Sequence, residues 1–145
     1  MSKTRQIVCG ACGRINRVPA ERPAEAARCG ACHKPLFTAH PVEVGEAGFE
    51  RHLAHDGIPI LVDVWAPWCG PCRTMGPMFE RAAASLEPEV RLLKLNADEV
   101  PGASARFGIR SIPTLLLLRD GQLIARNSGV MNASQIVDWT RSHLH

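Results

Sequence analysis

The run Trp65-Ala66-Pro67-Trp68-Cys69-Gly70-Pro71-Cys72 decides the reading of this chain. It follows an apolar stretch at residues 58–64 and precedes an amphipathic helical pattern, which puts it at a strand-to-helix turn. Two cysteines one turn apart at the start of a helix are placed for thiol–disulfide exchange. The helix N-terminus lowers the first thiol's pKa, and the second thiol is close enough to resolve a mixed disulfide. Gly70 permits the tight turn, and Pro71 lacks an N–H that the first helical turn would leave unpaired anyway. Cys69 is therefore the expected attacking thiolate and Cys72 the shielded, resolving thiol. The competing reading is a metal knuckle. It needs two further ligands nearby, and no Cys or His occurs in residues 73–142.

Upstream, the same spacing occurs twice, in Cys9-Gly10-Ala11-Cys12 and Cys29-Gly30-Ala31-Cys32, with sixteen residues between the pairs. That spacing is expected of a zinc site, in which each pair bends into a knuckle aiming two sulfurs at one ion. Gly10 and Gly30 suit the tight turns, and Gly13 can take a positive φ. Four thiolates around one tetrahedral Zn²⁺ form a closed site with no open position for a substrate. A segment this short cannot build a sufficient hydrophobic core, so a metal is its expected source of stability. His33 and His40 are alternative ligands, although four cysteines already complete the shell. Residues 1–36 carry seven Lys/Arg against Glu21 and Glu25, a net of +5, whereas residues 37–145 carry ten against twelve, a net of −2. The composition shift places a boundary that divides the chain into a Cys₄ module, residues 1–37, and a larger domain, residues 38–145.

The larger part alternates strand and helix patterns. Residues 38–45 read as a connector running into a short strand, 46–55 as a helix ended by Asp56-Gly57, and 60–64 as a strand buried on both faces. Met75, Met78, Phe79, Ala82, Ala83 and Leu86 keep one helix face, the methionines serving as core filling. Strands come next at 90–95 and 114–118, with a short helix at 101–107 between them. Asp120-Gly121 predicts a hairpin turn into 122–126. A last helix begins near Asn132, with Gln135 completing a capping box and Ile136, Val137, Thr140 and Leu144 in helical register. This order implies an α/β fold, a mixed central sheet flanked by helices on both faces.

Several segments carry a resemblance. Leu61-Val62-Asp63-Val64-Trp65-Ala66-Pro67-Trp68-Cys69-Gly70-Pro71-Cys72-Arg73, Lys94-Leu95-Asn96-Ala97-Asp98 and Phe107-Gly108-Ile109-Arg110-Ser111-Ile112-Pro113-Thr114 resemble three segments of the thioredoxin family, in the family's order. Asp120-Gly121 and Ser128-Gly129-Val130 are similar to its final hairpin and the loop after it. With the Cys₄ module in front, the chain resembles the zinc-containing bacterial members of that family. The resemblance implies a thioredoxin fold with a zinc-ribbon-like module at the N-terminus. It makes Asp63 a buried carboxylate that acts as a base toward Cys72, and Lys94 its neighbour. Pro113 would be the cis-proline facing the disulfide, with the Ile112 backbone pairing with substrate chain. Trp68, Gly70, Pro71, Ile112, Pro113 and Gly129 would together form the docking rim. On the residues alone, Asp63 could also be a solvated strand-end aspartate, Lys94 a surface lysine and Trp68 a core residue. Pro67 and Ser111 depart from the commonest family pattern, at the rim.

The expected activity is protein-disulfide reduction, with zinc as the single bound cofactor. The expected partners are disulfide-bearing client proteins and an NADPH-dependent thioredoxin reductase. A zinc-dependent redox sensor or chaperone-like binding module is the alternative. An oxidase or isomerase role is disfavoured by the Gly-Pro dipeptide between the cysteines. The absence of an apolar signal core at the N-terminus leads to the expectation of a cytoplasmic protein. No apolar run reaches membrane-span length. Nucleic-acid binding is also disfavoured: four thiolates plus Zn²⁺ lower the +5 of residues 1–36 to +3, and only Phe37 adjoins the segment for base stacking.

Overall fold

Central strand β4 (Ile60–Trp65) organises the larger domain in the computed structural model, which describes residues 4–144. Residues 1–3, with the Lys3 charge counted above, and residue 145 lie outside that range. Before β4 come β1 (Thr4–Val8), β2 (Ile15–Pro19), β3 (Val42–Val44) and helix α1 (Glu46–His55). After it come α2 (Gly70–Leu86), β5 (Arg91–Asn96), α3 (Pro101–Phe107), β6 (Thr114–Arg119), β7 (Gln122–Ser128) and α4 (Ala133–Leu144). Five strands form one sheet in the order β3-β5-β4-β6-β7. β4 runs parallel to β5 and antiparallel to β6, so the sheet is mixed.

Alternation along these strands divides the core between two faces. Leu61, Leu92, Leu115 and Leu117 meet Met75, Phe79, Ala82 and Ala83 of α2 and Ile136 of α4. Val62, Val64, Leu93, Leu95, Leu116 and Leu118 meet Phe49 and Leu53 of α1 and Ala103 of α3 on the opposite face. Each of the buried Val, Leu, Ile, Phe and Met side chains contributes about 1.5–3 kcal/mol. The same alternation puts Asp63 on the α2 face, beside Lys94 of β5 and Leu115 of β6 in register.

α1 and α3 match the expected spans, and the capping box of α4 is present. The Asn132 side chain accepts from the Gln135 N–H at 2.9 Å, and the Gln135 side chain accepts from the Asn132 N–H at 2.9 Å. β7 runs two residues further than the pattern suggests, because Asn127 and Ser128 continue the ladder against Leu115 and Thr114. Among the described residues, no helix is long and apolar enough to cross a membrane.

The N-terminal segment departs from expectation in one respect. It contains an antiparallel hairpin, β1 with β2, and a small apolar cluster of Ile7, Val18, Ala24, Leu36 and Phe37. Ile58, from the start of the larger domain, completes that cluster. A short segment gains a core here by sharing one with its neighbour. Polar contacts reinforce the junction. The Val8 N–H donates to Asp56 Oδ1 at 2.7 Å, Arg91 Nη2 donates to the Val8 carbonyl at 2.8 Å, and the Gly57 N–H donates to the Gln6 carbonyl at 2.8 Å. His52 Nδ1 holds the other Asp56 oxygen, and the Arg91 guanidinium lies 4.4 Å from the Phe37 ring centroid. Burial pushes the Arg91 pKa below its ordinary value, while Asp56 and Glu87 pull it back. Removing one partner would leave the other charge buried and uncompensated, at a cost of about 3–5 kcal/mol, so the junction tolerates little change.

Candidate active site and metal centre

Cys69 is the N-cap of α2. Its backbone is extended (φ −88°, ψ 111°), and its Sγ accepts the Cys72 N–H at 3.2 Å. Pro71 occupies the first turn, where its missing N–H leaves no helical hydrogen bond unmade. An N–H aimed at Sγ from a helix N-terminus stabilises negative charge on that sulfur whenever the thiol is free. In the structure the two sulfurs form a disulfide, with the Cα atoms 5.2 Å apart. The expected contrast in shielding is not seen in this oxidised form: Cys69 is 5% exposed and Cys72 4%. The disulfide ties both sulfurs into one small cluster with Ala66, Trp65 and Ile112, so burial is shared and helix position distinguishes the two residues.

The loop before β6 faces the disulfide. The Ile112–Pro113 peptide bond is cis, and the Ile112 carbonyl oxygen lies 3.8 Å from Cys69 Sγ. The Pro113 carbonyl accepts the Gly129 N–H at 2.9 Å, and Gly129 has φ +103°, a conformation that a side chain would strain. Trp68 is 68% exposed, which excludes the core reading, and its Nε1 donates to Asp98 Oδ2 at 3.0 Å. Val130 is exposed beside Gly129. Sequence reasoning assigns no role to Asp98 or Val130, since neither lies in a periodic pattern. The one signal for them is that both fall within segments resembling the family.

Beneath this surface, Asp63 is fully buried, and neither carboxylate oxygen has a hydrogen-bond partner among the described residues. The solvated strand-end reading is thereby excluded. Burial pushes the Asp63 carboxyl up to about 7, and the neighbouring Lys94 charge works against that shift. Lys94 is half-buried, with its Nζ 4.7 Å from the Trp65 ring centroid. A cavity of about 250 Å³, lined by Glu43, Trp65, Lys94, Asn96 and Glu99 among others, opens beside the lysine.

Cys9, Cys12, Cys29 and Cys32 converge, with all four sulfurs within 4.8 Å of one another. The Cys9–Cys32 and Cys12–Cys29 separations are 3.6 and 3.5 Å. A zinc tetrahedron with Zn–S bonds of about 2.3 Å has sulfur–sulfur edges of about 3.8 Å, so the four side chains fit one ion. The knuckles repeat one design. The Ala11 N–H donates to Cys9 Sγ and the Ala31 N–H to Cys29 Sγ, both at 3.4 Å. Gly13 and His33, each four residues after the first cysteine of its pair, both turn the chain with positive φ. The Cys32 N–H foremost, then that of Ala31, holds the Cys29 thiol down at about 6, while hydrogen bonding to Cys29 and burial push its partner Cys12 up to about 11. His33 turns the backbone outside the four-sulfur cluster, and His40 contacts Glu80.

Comparison with known proteins assigns a family to each segment. The family model described as Thioredoxin matches residues 40–142, and a second, described as Thioredoxin 2, N-terminal, matches residues 8–34. Thioredoxin C-3 of Corynebacterium nephridii is 39% identical over 138 residues, covering 95% of this chain and 94% of its own length. Thioredoxin of Haemophilus influenzae is 38% identical over 103 residues, 71% of this chain and 96% of that protein. A solved structure of a mutant thioredoxin from Halobacterium salinarum superposes with a TM-score of 0.66 at 26% identity, covering 75% of this chain and 95% of that one. The redox-placed pair on α2, the facing loop and the four-sulfur cluster thus occur in a chain that belongs to the thioredoxin family and carries that family's zinc-ribbon module at its N-terminus.

Proposed function

We propose that this protein is a cytoplasmic protein-disulfide reductase working through the Cys69-Gly70-Pro71-Cys72 dithiol, with one zinc ion held by Cys9, Cys12, Cys29 and Cys32. The observation that carries the reading is the Cys69–Cys72 disulfide at the N-cap of α2, against the Ile112 carbonyl. In the reduced protein, the Cys69 thiolate attacks one sulfur of a client disulfide. That S–S bond breaks, a Cys69–client bond forms, and the departing client thiolate takes a proton. Cys72 then loses its proton to Asp63 through water and attacks Cys69 Sγ, releasing the second client thiol. Two electrons have passed to the client, with one proton from Cys72 and one from solvent, and the protein is left with the Cys69–Cys72 disulfide. A thioredoxin reductase using NADPH restores the dithiol.

The remaining residues assist these steps. Asp63, held near pH 7, can accept and return a proton under physiological conditions, and Lys94 limits how far burial raises it. Trp68, Gly70, Pro71, Ile112, Pro113 and Gly129 form the client-docking rim, with the Ile112 backbone open to strand addition beside cis-Pro113. Zinc, when bound, supplies a crosslink that folds the N-terminal segment and offers no open coordination position. The test is an NADPH-coupled disulfide-reduction assay. Cys69→Ser is expected to abolish turnover, and Cys72→Ser to accumulate protein–client mixed disulfides. Full turnover by either variant would overturn the assignment.

A further inference from the structure

Beside the cis-Pro113 loop lies a second concavity of about 390 Å³. Gly108, Arg110, Ser111, Thr114, Arg126 and Ser128 line it, and no carboxylate does. This is unusual for its surroundings, because residues 37–145 carry more acidic than basic side chains. The floor is ordered. The Thr114 hydroxyl donates to the Ser111 carbonyl at 2.6 Å and contacts the Ser128 hydroxyl at 3.2 Å. Arg126 is fixed by the carbonyls of Phe107 and Gly108, at the end of α3. Arg110 is exposed and makes no ion pair among the described residues. Ser111 lines the cleft and precedes Ile112, whose carbonyl oxygen lies 3.8 Å from Cys69 Sγ.

We propose that this cleft selects clients that carry a carboxylate side chain beside their reactive cysteine. Arg110 is the specificity-determining residue, and Arg126 supplies a second, fixed positive charge. The inference rests on the reductase reading and names the substrate class of that site. A client strand laid along Ile112 carries its neighbouring side chains past Ser111 and Arg110. A carboxylate there meets two guanidinium groups, whereas an ammonium group meets like charge.

The experiment uses disulfide-bridged peptides identical except for Glu, Gln or Lys next to the cysteine. Oxidation of the reduced full-length protein is followed by tryptophan fluorescence, and the rate ratios are read within each variant. The Glu peptide is expected to react about threefold faster than the Gln peptide at low salt, the size of an exposed ion pair. That ratio should approach one at about 1 M salt, where the screening length is about 3 Å. Arg110→Gln should reduce it toward one, and Arg110→Glu should favour the Lys peptide. Arg119→Gln makes the same charge change at the opposite end of β6 and should leave the ratio intact. A Glu/Gln ratio that is near one in the unaltered protein, or that survives Arg110→Gln, would overturn the inference. In that case Cys69-dependent reduction of the Gln peptide leaves the reductase reading standing, while its absence would remove that reading as well.

Discussion

Three pairs of cysteines share one spacing in this chain, and the fold uses them differently: one pair is joined in a disulfide and the other two converge in one four-sulfur cluster. At Cys69 and Cys72 the intervening Gly-Pro opens a 17-residue helix, so one sulfur caps the helix and receives the other residue's N–H. At Cys9/Cys12 and Cys29/Cys32 the intervening Gly-Ala closes a turn, and each first sulfur receives an N–H from within its own knuckle. The helix isolates two thiols from any third ligand, whereas the hairpin and the second knuckle bring four together. Spacing sets how near two sulfurs can be. Whether the second cysteine leads into a helix or a turn sets which bond they make.

Disrupting the four-sulfur cluster tests that contrast with the largest effect. Replacing Cys9 and Cys12 by serine should remove bound zinc and unfold the segment before Phe37, a loss on the order of 10 kcal/mol of metal-linked folding energy. The five-stranded sheet should keep its two apolar clusters, which contain no residue from that segment, while the junction around Asp56, Ile58 and Arg91 loosens with it. Metal analysis with limited proteolysis checks both halves; digestion of the whole chain at one rate would contradict the separation.

Asp63 sharpens the contrast from the redox side. The folded carboxyl keeps its proton to about pH 7, while the ordinary value is 3.8. The fold therefore binds more protons than the unfolded chain between those values, and stability falls as pH rises through that window. Asp63→Asn removes the penalty for burying a charge but leaves an unpaired amide, so it should stabilise the protein by about 2–3 kcal/mol at pH 8. The gain should vanish near pH 4. Urea unfolding at the two pH values measures this, and an equal difference at both would contradict the assignment.

The smallest effect compares the knuckles with each other. Gly13 at φ +81° carries no steric cost, whereas His33 at φ +64° does. His33→Gly should stabilise the zinc-loaded segment by about 1 kcal/mol, read as slower zinc loss to a chelator. Faster loss would instead identify the imidazole as a ligand.

Much of this was legible in the sequence because the signals are local. The Asp120-Gly121 turn, the Asn132/Gln135 cap and the helix face from Met75 to Leu86 each lie within a few residues. An aspartate between Val62 and Val64 pointed to burial for the same reason. The junction was not legible. Arg91 read as the edge of a strand and Asp56 as a helix stop, yet they meet Val8 across 83 and 48 residues. Strands β1 and β2 also escaped notice, because few of their positions are buried and those share their core with Ile58. The equal burial of Cys69 and Cys72 depends on their being bonded, a state that spacing does not encode.

The central claim is that only one of the three pairs exchanges electrons with clients. Zinc content and free thiols can be counted in one sample of the full-length, zinc-loaded, reduced protein before and after exhaustive reaction with a disulfide substrate. The account predicts that Cys69 and Cys72 alone lose their thiols and that the zinc content is unchanged. Zinc released in step with oxidation, with Cys9, Cys12, Cys29 or Cys32 among the oxidised residues, would contradict it and favour a redox sensor.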